Sequence, residues 1–525
     1  MGKVEVYDTT LRDGCQAEGI SFGVGDKLRI LRRLDELGVD YVEGGWPNPT
    51  SPLDSEFFDA AQRVELQHAR LAAFGSTCRP DRTPAEDEQL GHLLRSEAPV
   101  LTIFGKSWDF HVDEVLRCSR ERNLEMIRES VAFLRAAGRE VFFDAEHYFD
   151  GLAANPEYAL ATLQAAAEGG AQRIVLCDTN GGALQPWVAE GVRAAQRAVS
   201  TPLAIHVHND AGLAVANSLS AVELGCVQVQ GTINGYGERT GNADLCVVVP
   251  NLVLKMGCEC LAAGGLPGLR LLSREVADWA LAPLDERQPY MGSLAFAHKG
   301  GMHVNAVLKD PRSFEHVPPE AVGNERRLLV SDQAGSSAVQ ARVAQYYPDV
   351  QRDGPLVQRV LATLKRREHE GYAYEGADAS LELLVREAAG DRHKLFDLIR
   401  MTVLVKEVGR EVEEVYAEAA LQLAVDGHPL SGVADGDGPV HALDNALRQA
   451  LNGRYPKLDG IRLTDFVVRI VSTGDGTSAT VRVVIESTDH RRRWKTVGAH
   501  TNLIWAAWRA LVDSYEYGLF WAENG

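Results

Sequence analysis

The sequence predicts an α/β protein: a (β/α)8 TIM barrel, then a helical linker subdomain, then a C-terminal α+β regulatory module with an internal duplication. Eight short apolar runs alternate with amphipathic stretches in the first part of the chain, and polar clusters follow seven of these runs. Later, a strand-strand-helix order occurs twice, ~64 residues apart. We therefore predict a catalytic barrel at 1–285, the linker at 286–390 and a regulatory domain at 391–525.

The predicted barrel strands are apolar runs of the length usual for buried parallel strands. They are Val4–Tyr7, Val39–Glu43, Arg70–Phe74, Val100–Phe104, Glu140–Asp144, Arg173–Cys177, Leu203–His208 and Val227–Ile233. Between them, apolar residues recur at helical spacing, as between Lys27 and Leu37, before Gly38. Further helices are predicted at Ser55–Gln67, Arg122–Ala137, Pro156–Glu168, Pro186–Val199, Leu213–Leu224 and Ala243–Met256.

The polar clusters lie where a barrel would place its chemistry. They are Asp8–Gln16, Glu43–Trp46, Gly105–Trp108, Asp144–His147, Asp178–Gly182, His206–Asp210 and Asn234–Asn242. Catalytic groups of (β/α)8 barrels lie at the carboxyl ends of the strands, so these clusters are expected to converge on one mouth. A doubly wound open sheet is the weaker alternative.

Composition and charge exclude several classes of function. A net charge of −19 argues against binding to a nucleic-acid backbone. No apolar run reaches the ~18 residues needed to cross a membrane, and the chain enters a strand pattern at once, which leaves no room for a signal peptide. The 8 cysteines include no C-x-x-C pair. We expect a cytoplasmic protein that binds neither membrane nor nucleic acid.

The linker and the C-terminal module carry less chemistry. In the linker, Ala295–Asn305 contains two glycines flanked by His298 and His303, which indicates either close backbone approach to a ligand or a helix N-terminus with incidental histidines. In the module we predict strands at Phe396–Val405, Ala417–Val425, Asp465–Val471, Thr477–Ile485 and Trp494–Val497, with helices at Val440–Leu451 and Asn502–Ser514. Few acid or base groups occur there, so regulation or assembly fits better than catalysis.

A metal site is predicted around His206 and His208. On a strand these side chains share a face about 6 to 7 Å apart, a chelating distance. Such a pair alone is more often structural, but the barrel would add a carboxylate from Asp13 and an amide oxygen from Asn242. Mixed nitrogen and oxygen ligands with open positions suit Mg, Mn or Zn.

The remaining candidates fit addition of a carbon nucleophile to a 2-oxo acid held by that metal. Arg12 would stabilise the alkoxide, and Thr179 would hold the substrate carboxylate. Glu146 would either position the reacting groups or hold Arg12. His303 is the candidate base that removes the α-proton of a thioester.

Six motifs resemble those of the acyl-CoA Claisen-condensing synthases, the isopropylmalate, homocitrate and citramalate synthases, and most closely the long-form citramalate synthases. They begin at Thr9 (Thr-Thr-Leu-Arg-Asp-Gly), Glu43 (Glu-Gly-Gly-Trp-Pro), Cys177 (Cys-Asp-Thr-Asn-Gly), His206 (His-Val-His-Asn-Asp), Gly235 (Gly-Tyr-Gly-Glu-Arg-Thr-Gly-Asn) and Phe296 (Phe-Ala-His-Lys-Gly-Gly-Met-His). The resemblance covers essentially the whole chain. Two positions depart from the family pattern: the loop Trp46–Asp54, and Cys15, where Ala or Glu is usual.

The resemblance implies an acyltransferase that condenses acetyl-CoA with pyruvate in isoleucine biosynthesis. It implies a homodimer with a divalent metal on Asp13, His206 and His208, with Arg12 and Glu146 at the reacting centre and Thr179 on the substrate carboxylate. It also implies that the C-terminal module is an allosteric domain for an end-product amino acid, with isoleucine as the expected effector.

Four other functions remain as alternatives. The enzyme could be a 2-isopropylmalate synthase or use another 2-oxo acid. A metal-dependent lyase of 3-hydroxy-3-methylglutaryl-type thioesters would share the barrel but lack the C-terminal module. A non-haem iron oxygenase also uses two histidines and one carboxylate, although ligands spread over strands one and seven argue against it. A non-catalytic amino-acid sensor would have no need of Arg12, Asp13 and Glu146.

Overall fold

The computed structural model describes residues 2–299, 301–329, 336–351, 354–392, 394–408, 414–471, 476–489 and 491–524. The chain forms two compact units. Unit 1 comprises Met1–Phe296 with Glu315–Arg326, and unit 2 comprises Ala297–Phe314 with Arg327–Gly525. The predicted linker at 286–390 is thus shared between the two units, and its standing as a separate subdomain stays a prediction.

Unit 1 is a closed barrel of eight parallel strands in sequential order. The strands are β1 (Glu5–Asp8), β2 (Tyr41–Gly45), β3 (Arg70–Ser76), β4 (Val100–Lys106), β5 (Glu140–Glu146), β6 (Arg173–Asp178), β7 (Leu203–Val207) and β8 (Gln228–Gly231). Pairing of β1 with β8, from Glu5 opposite Gln228 to Asp8 opposite Gly231, closes the barrel. The predicted (β/α)8 barrel and its eight strands are confirmed, and the open-sheet alternative is wrong.

Helices surround the barrel and cover its strands. They are α1 (Val24–Leu37), α2 (Pro52–Ala61), α3 (Glu88–Arg95), α4 (Asp109–His111), α5 (Arg120–Ala136), α6 (Tyr148–Ala154), α7 (Pro156–Glu168), α8 (Gln185–Ala198), α9 (Ala214–Glu223), α10 (Leu245–Leu254) and α11 (Leu269–Trp279). The core between helices and strands is aliphatic and aromatic, with Ile30, Ile127 and Phe143 fully buried.

Several helices differ from the sequence prediction, among them α4 and α11, which were not predicted. Helix α2 begins at Pro52 rather than Ser55, because proline is well accommodated in the first turn of a helix, and it ends at Ala61. Helix α3 was not predicted; the side chain of Asp87 caps it by accepting from the amides of Gln89 and Leu90. The short helix α6 was also not predicted.

The first part of unit 2 is largely helical. Its elements are β9 (Ala297–His298), α12 (Gly301–Lys309), β10 (Arg327–Leu328), α13 (Ser336–Ala344), α14 (Pro355–His369) and α15 (Asp378–Ala389). Helix α12 begins within the glycine-histidine segment, as expected for a helix N-terminus, and whether its histidines approach a ligand stays a prediction.

The rest of unit 2 is a duplicated module of two three-stranded antiparallel sheets, each followed by a helix. The first copy contains β11 (Asp397–Val408), β12 (Glu414–Val425), β13 (His428–Gly436) and α16 (Pro439–Leu451). The second contains β14 (Arg462–Ile470), β15 (Val481–Thr488), β16 (Arg493–His500) and α17 (Leu503–Asn524). The duplication is confirmed, but each copy has three strands, and β13 was missed because Pro429 and Gly432 interrupt its strand pattern.

Both copies place a glycine where the helix approaches its sheet. A Cβ atom at Gly432 would lie 2.1 Å from the carbonyl oxygen of Ala446, and one at Gly498 would lie 2.1 Å from that of Ala506. Equivalent glycines in equivalent positions support a shared origin of the two copies. Among the described residues, no helix is both long enough and apolar enough to cross a membrane.

Candidate active site

The polar strand ends of unit 1 converge on a cavity of about 190 Å³. Its lining includes Arg12, Asp13, Glu146, Thr179, His206 and His208. These six predicted site residues come from four strands far apart in sequence, and the barrel brings them together because all eight strands end on the same side.

Asp13, His206 and His208 form a buried cluster. The Nε2 atoms of His206 and His208 lie 3.4 and 3.6 Å from Oδ2 of Asp13. One potential ligand atom from each residue lies within 4.8 Å of the others. A carboxylate and two imidazoles at this separation form a donor set suited to a divalent cation.

The outer contacts of the two imidazoles differ. Nδ1 of His206 lies 3.1 Å from Oε1 of Gln230, which can only accept, so a cation bound at Nε2 would leave the ring proton on Nδ1. Nδ1 of His208 lies 3.1 Å from a guanidinium nitrogen of Arg239, which can only donate. Arg239 is held in turn by both oxygens of Asp210, at 2.7 and 2.9 Å.

Two oxygens of the predicted metal site are buried without a hydrogen-bond partner among the described residues: Oδ1 of Asp13 and Oδ1 of Asn242. Asn242 forms an isolated bridge with His208, and its amide nitrogen donates to the carbonyl of Tyr236 at 3.2 Å. Buried oxygens are rarely left unsatisfied, so these two atoms fit a role as ligands.

Asp13 is held in its anionic form. Burial alone would raise its pKa, but the guanidinium of Arg12 and hydrogen bonds from His206 and His208 hold the pKa well below its usual range.

Arg12 is fixed by contacts that the sequence analysis missed. Its Nε lies 2.5 Å from Oε1 of Glu43, and its guanidinium carbon lies 3.8 Å from the ring centre of Phe74. The other oxygen of Glu43 accepts from the hydroxyl of Tyr7 at 2.7 Å, and that hydroxyl lies 2.7 Å from Oγ1 of Thr102. Burial would lower the pKa of Arg12, but the carboxylates of Glu43 and Asp13 raise it, so the side chain stays charged.

Glu146 forms an ion pair with Lys106, which lies at the end of the neighbouring strand β4. Arg12, by contrast, has Glu43 and Asp13 as its carboxylate partners. The structure therefore does not support the interpretation of Glu146 as the residue that holds Arg12.

Thr179 is arranged as a donor. Its Oγ1 accepts from the backbone N–H of His147 at 2.9 Å, which leaves the hydroxyl proton available. His147 has a positive φ of 56°, a strained conformation for a non-glycine residue that directs its N–H toward Thr179.

Asp144 adds a second donor that was noted only as a strand end. Burial, followed by the charge of Glu43, raises its pKa well above the usual value, which favours the neutral carboxyl. Its Oδ1 is buried without a hydrogen-bond partner among the described residues, and the side chain lines the cavity.

Three aromatic side chains form one wall of the cavity. Phe74 and Phe104 stack with ring centres 5.5 Å apart, and Trp46 packs edge-on to each at 5.6 Å. The unusual loop that begins at Trp46 is anchored by Asp54, which accepts from the Trp46 amide at 3.0 Å and pairs with Lys27 at 2.5 Å.

His303 belongs to unit 2, where it is exposed and its ring stacks on Phe314 at 4.2 Å. Its predicted role as a base stays a prediction.

Comparison with known proteins follows the same division of the chain. Residues 3–261 match the HMGL-like family model, residues 290–371 the homocitrate synthase post-HMGL domain-like model, and residues 375–519 the LeuA allosteric (dimerisation) domain model. The fold and these matches define the class as barrel enzymes of the HMGL-like type with a LeuA-type C-terminal domain.

Proteins that are similar over the full length of the chain identify the family within this class. The chain is 48% identical to an (R)-citramalate synthase of Geobacter sulfurreducens, covering 100% of this chain and 99% of that protein. It is 47% identical to one of Aquifex aeolicus, covering 99% of each. A probable 2-isopropylmalate synthase of Methanopyrus kandleri is 30% identical, covering 97% of each. The chain belongs to the (R)-citramalate synthase family.

Proposed function

We propose that this protein condenses acetyl-CoA with pyruvate to give (R)-citramalate and CoA, as a cytoplasmic step of isoleucine biosynthesis. The observation that carries the proposal is identity of 43 to 48% to five proteins named (R)-citramalate synthase, over at least 98% of this chain. The cavity of about 190 Å³, with one wall formed by three aromatic rings, supports a small 2-oxo acid over the bulkier substrate of the alternative, a 2-isopropylmalate synthase.

We assign a divalent cation, Mn, Mg or Zn, to Asp13, His206 and His208, with Asn242 as a further oxygen ligand. The unsatisfied Oδ1 atoms of Asp13 and Asn242 and the acceptor at Nδ1 of His206 support this assignment. At His208, ligation through Nε2 would require the hydrogen bond from Arg239 to break. When bound, such a cation polarises the ketone of the 2-oxo acid.

The protein's own residues would handle charge and protons as follows. A base, for which His303 remains the candidate, removes a proton from the acetyl methyl group, and the resulting carbanion forms a bond to the keto carbon of pyruvate. The keto oxygen gains the electron pair of its π bond, and Arg12 stabilises that negative charge. Water then cleaves the thioester and releases CoA.

Substrate orientation would come from donors along the cavity wall. The free hydroxyl proton of Thr179 and the carboxyl of Asp144, whose raised pKa favours the protonated form, can each donate to an oxygen of the 2-oxo acid. Glu146, paired with Lys106, is the group placed to move the proton that quenches the alkoxide.

The reaction is tested by thiol release from acetyl-CoA with pyruvate, 2-oxobutyrate, 2-oxoisovalerate and 2-oxoglutarate. Pyruvate should give the highest kcat/KM. Preference for 2-oxoisovalerate would instead favour the 2-isopropylmalate alternative, and no thiol release with any of them would favour the sensor. Oxygen consumption with added Fe(II) would favour the oxygenase, and cleavage of a 3-hydroxy-3-methylglutaryl thioester would favour the lyase.

We further propose that the protein is a homodimer assembled through the sheets of unit 2, with isoleucine as allosteric effector. The match of residues 375–519 to a LeuA allosteric (dimerisation) domain supports this. The outer face of the first sheet leaves Leu404 and Val433 exposed, and large exposed aliphatic groups on one surface are typical of interfaces. Val433→Asp should therefore shift the protein to the monomer in sedimentation, whereas Leu281→Asp, at a 93% exposed position of unit 1, should not. A dimeric Val433→Asp would contradict this interface.

A further inference from the structure

Unit 2 contains a cavity of about 550 Å³. Helix α14 and the loop after it form one side, and α15, β16 and α17 form the rest. The cavity lies across two family matches, since α14 falls in residues 290–371 and the other three elements fall in 375–519. Nothing in the proposed condensation uses it.

The charge lining this cavity is predominantly positive. Arg367, Arg392, Lys394 and Arg509 face only two carboxylates, Glu387 and Asp513. Both carboxylates are already paired with Arg392, at 3.3 and 2.9 Å. Asp513 also accepts from the hydroxyl of Ser380 at 2.7 Å. The acidic groups of the lining are therefore engaged. Outside the lining, Arg367 pairs with Glu370 at 3.6 Å and Lys394 with Asp397 at 2.9 Å, so the surplus positive charge centres on Arg509.

Arg509 supplies the main part of this surplus positive charge. Its Nη1 donates to the hydroxyl oxygen of Tyr372 at 3.3 Å and to the carbonyl oxygen of Ala499 at 2.8 Å. Within the described ranges it has no carboxylate partner. A partly buried guanidinium that contacts only neutral oxygens retains most of its attraction for an anion.

Tyr372 joins a second guanidinium to the first. Its hydroxyl oxygen also accepts from Nη1 of Arg367 at 3.4 Å, so two guanidiniums from different helices meet at one phenol. Because this oxygen accepts from both, its own proton remains to be donated. Two guanidiniums and a phenolic O–H around one point form a donor set suited to a carboxylate.

The rest of the lining indicates what the carboxylate is attached to. Leu384, Val497, Trp508 and Val512 present apolar surface to the same cavity. An ammonium group would have to compete with Arg392 for both carboxylates. The lining therefore favours an aliphatic acid without an amino group over the corresponding amino acid.

We propose that this cavity binds a branched aliphatic carboxylic acid without an amino group, with its carboxylate between Arg367, Tyr372 and Arg509 and its side chain against Trp508 and Val512. The cavity joins α14 to the duplicated module, so occupancy would stabilise the packing of these two parts of unit 2 against each other.

The test is titration calorimetry on the full-length protein with 3-methyl-2-oxopentanoate, isoleucine and inorganic phosphate as probes. The oxo acid should bind the unmodified protein, and Arg509→Gln should weaken that binding at least about tenfold, the size expected for loss of one charge-assisted hydrogen bond. Arg312→Gln, at a 90% exposed position outside the cavity, should leave it unchanged. Isoleucine binding should not respond to Arg509→Gln.

Three results would overturn the proposal: no binding of the oxo acid, equal binding by Arg509→Gln, or phosphate binding as tightly as the oxo acid. Loss of isoleucine binding in Arg509→Gln would assign the cavity to an amino acid instead. If Arg509→Gln does not fold, Tyr372→Phe takes its place, with a smaller loss expected. Thiol release with pyruvate, measured on the same samples, reports the barrel reaction separately.

Discussion

Replacement of Glu43 by glutamine tests whether Arg12 must be held in place for catalysis. Glu43 is fully buried and its Oε1 lies 2.5 Å from Nε of Arg12, whose other carboxylate neighbour, Asp13, is 3.7 Å away. Removal of one partner of a buried ion pair costs about 3 to 5 kcal/mol. Because glutamine can still accept from Nε, we expect a smaller loss of about 1 to 3 kcal/mol.

If the transition state loses this interaction energy, kcat/KM for pyruvate should fall roughly 5- to 150-fold, because about 1.4 kcal/mol corresponds to a factor of ten in rate. The assay is thiol release from acetyl-CoA, with thermal unfolding measured in parallel. Tyr7→Phe is the matched control, because it removes the 2.7 Å hydrogen bonds to the far oxygen of Glu43 and to Thr102 but keeps the Arg12 pair. Unchanged kcat/KM in Glu43→Gln, or an equal loss in Tyr7→Phe, would refute the reasoning.

Three further predictions concern the metal, the cavity wall and stability. Chelation of divalent cations should abolish thiol release, and Mn2+ should restore it. Gln230→Leu should weaken Mn2+ binding in calorimetry by about 10- to 100-fold, because His206 loses the partner of its Nδ1 proton. An unchanged affinity for Mn2+ would contradict the assigned tautomer of His206. Phe104→Ala should raise the relative kcat/KM for 2-oxoisovalerate over pyruvate by about 10-fold or more, as expected for space gained in an apolar pocket; an unchanged ratio would exclude this wall from substrate selection. Burial alone would raise the pKa of Asp35, but the backbone amides of Gln67, Ala69 and His68 hold this pKa below the usual value. The ionised Asp35 therefore stabilises the folded protein above the unfolded pKa of about 3.9, and this stabilisation is lost as pH falls through the folded pKa. Asp35→Asn should therefore lower the free energy of unfolding by about 1 to 3 kcal/mol at pH 7, with the difference shrinking in urea titrations below about pH 4; a difference independent of pH would contradict this origin.

Much of the barrel and the buried cluster could be predicted from the sequence because their signals are local. A strand is a short apolar run, and the carboxyl ends of barrel strands share one side, so Asp13 and His206 could be placed together without knowledge of any contact. Helix α3 was missed although Leu90, Leu93 and Leu94 recur at helical spacing, because it has only 8 residues and its start depends on the capping side chain of Asp87.

The supporting groups of the site could not be predicted in the same way. Glu43 was visible as a strand end, but its pairing with Arg12 depends on the rotamers of two side chains 31 positions apart. The pairing of Lys106 with Glu146 depends on the register of β4 against β5, which places these two residues directly opposite each other. Register and rotamer are set by packing of the whole barrel, and the local sequence pattern does not carry them.

The two aspartates of the cavity show how the same side chain takes opposite roles in one site. Asp13 lies against Arg12 and two imidazoles, which favour its charged form despite burial. Asp144 is also buried, but the charge of Glu43 adds to the effect of burial and favours its neutral form. An anionic Asp144 would repel the carboxylate of a 2-oxo acid, whereas the neutral form can donate to it. Glu43 therefore serves the site twice, since it fixes the cation that would stabilise the developing alkoxide and its charge favours the neutral form of Asp144.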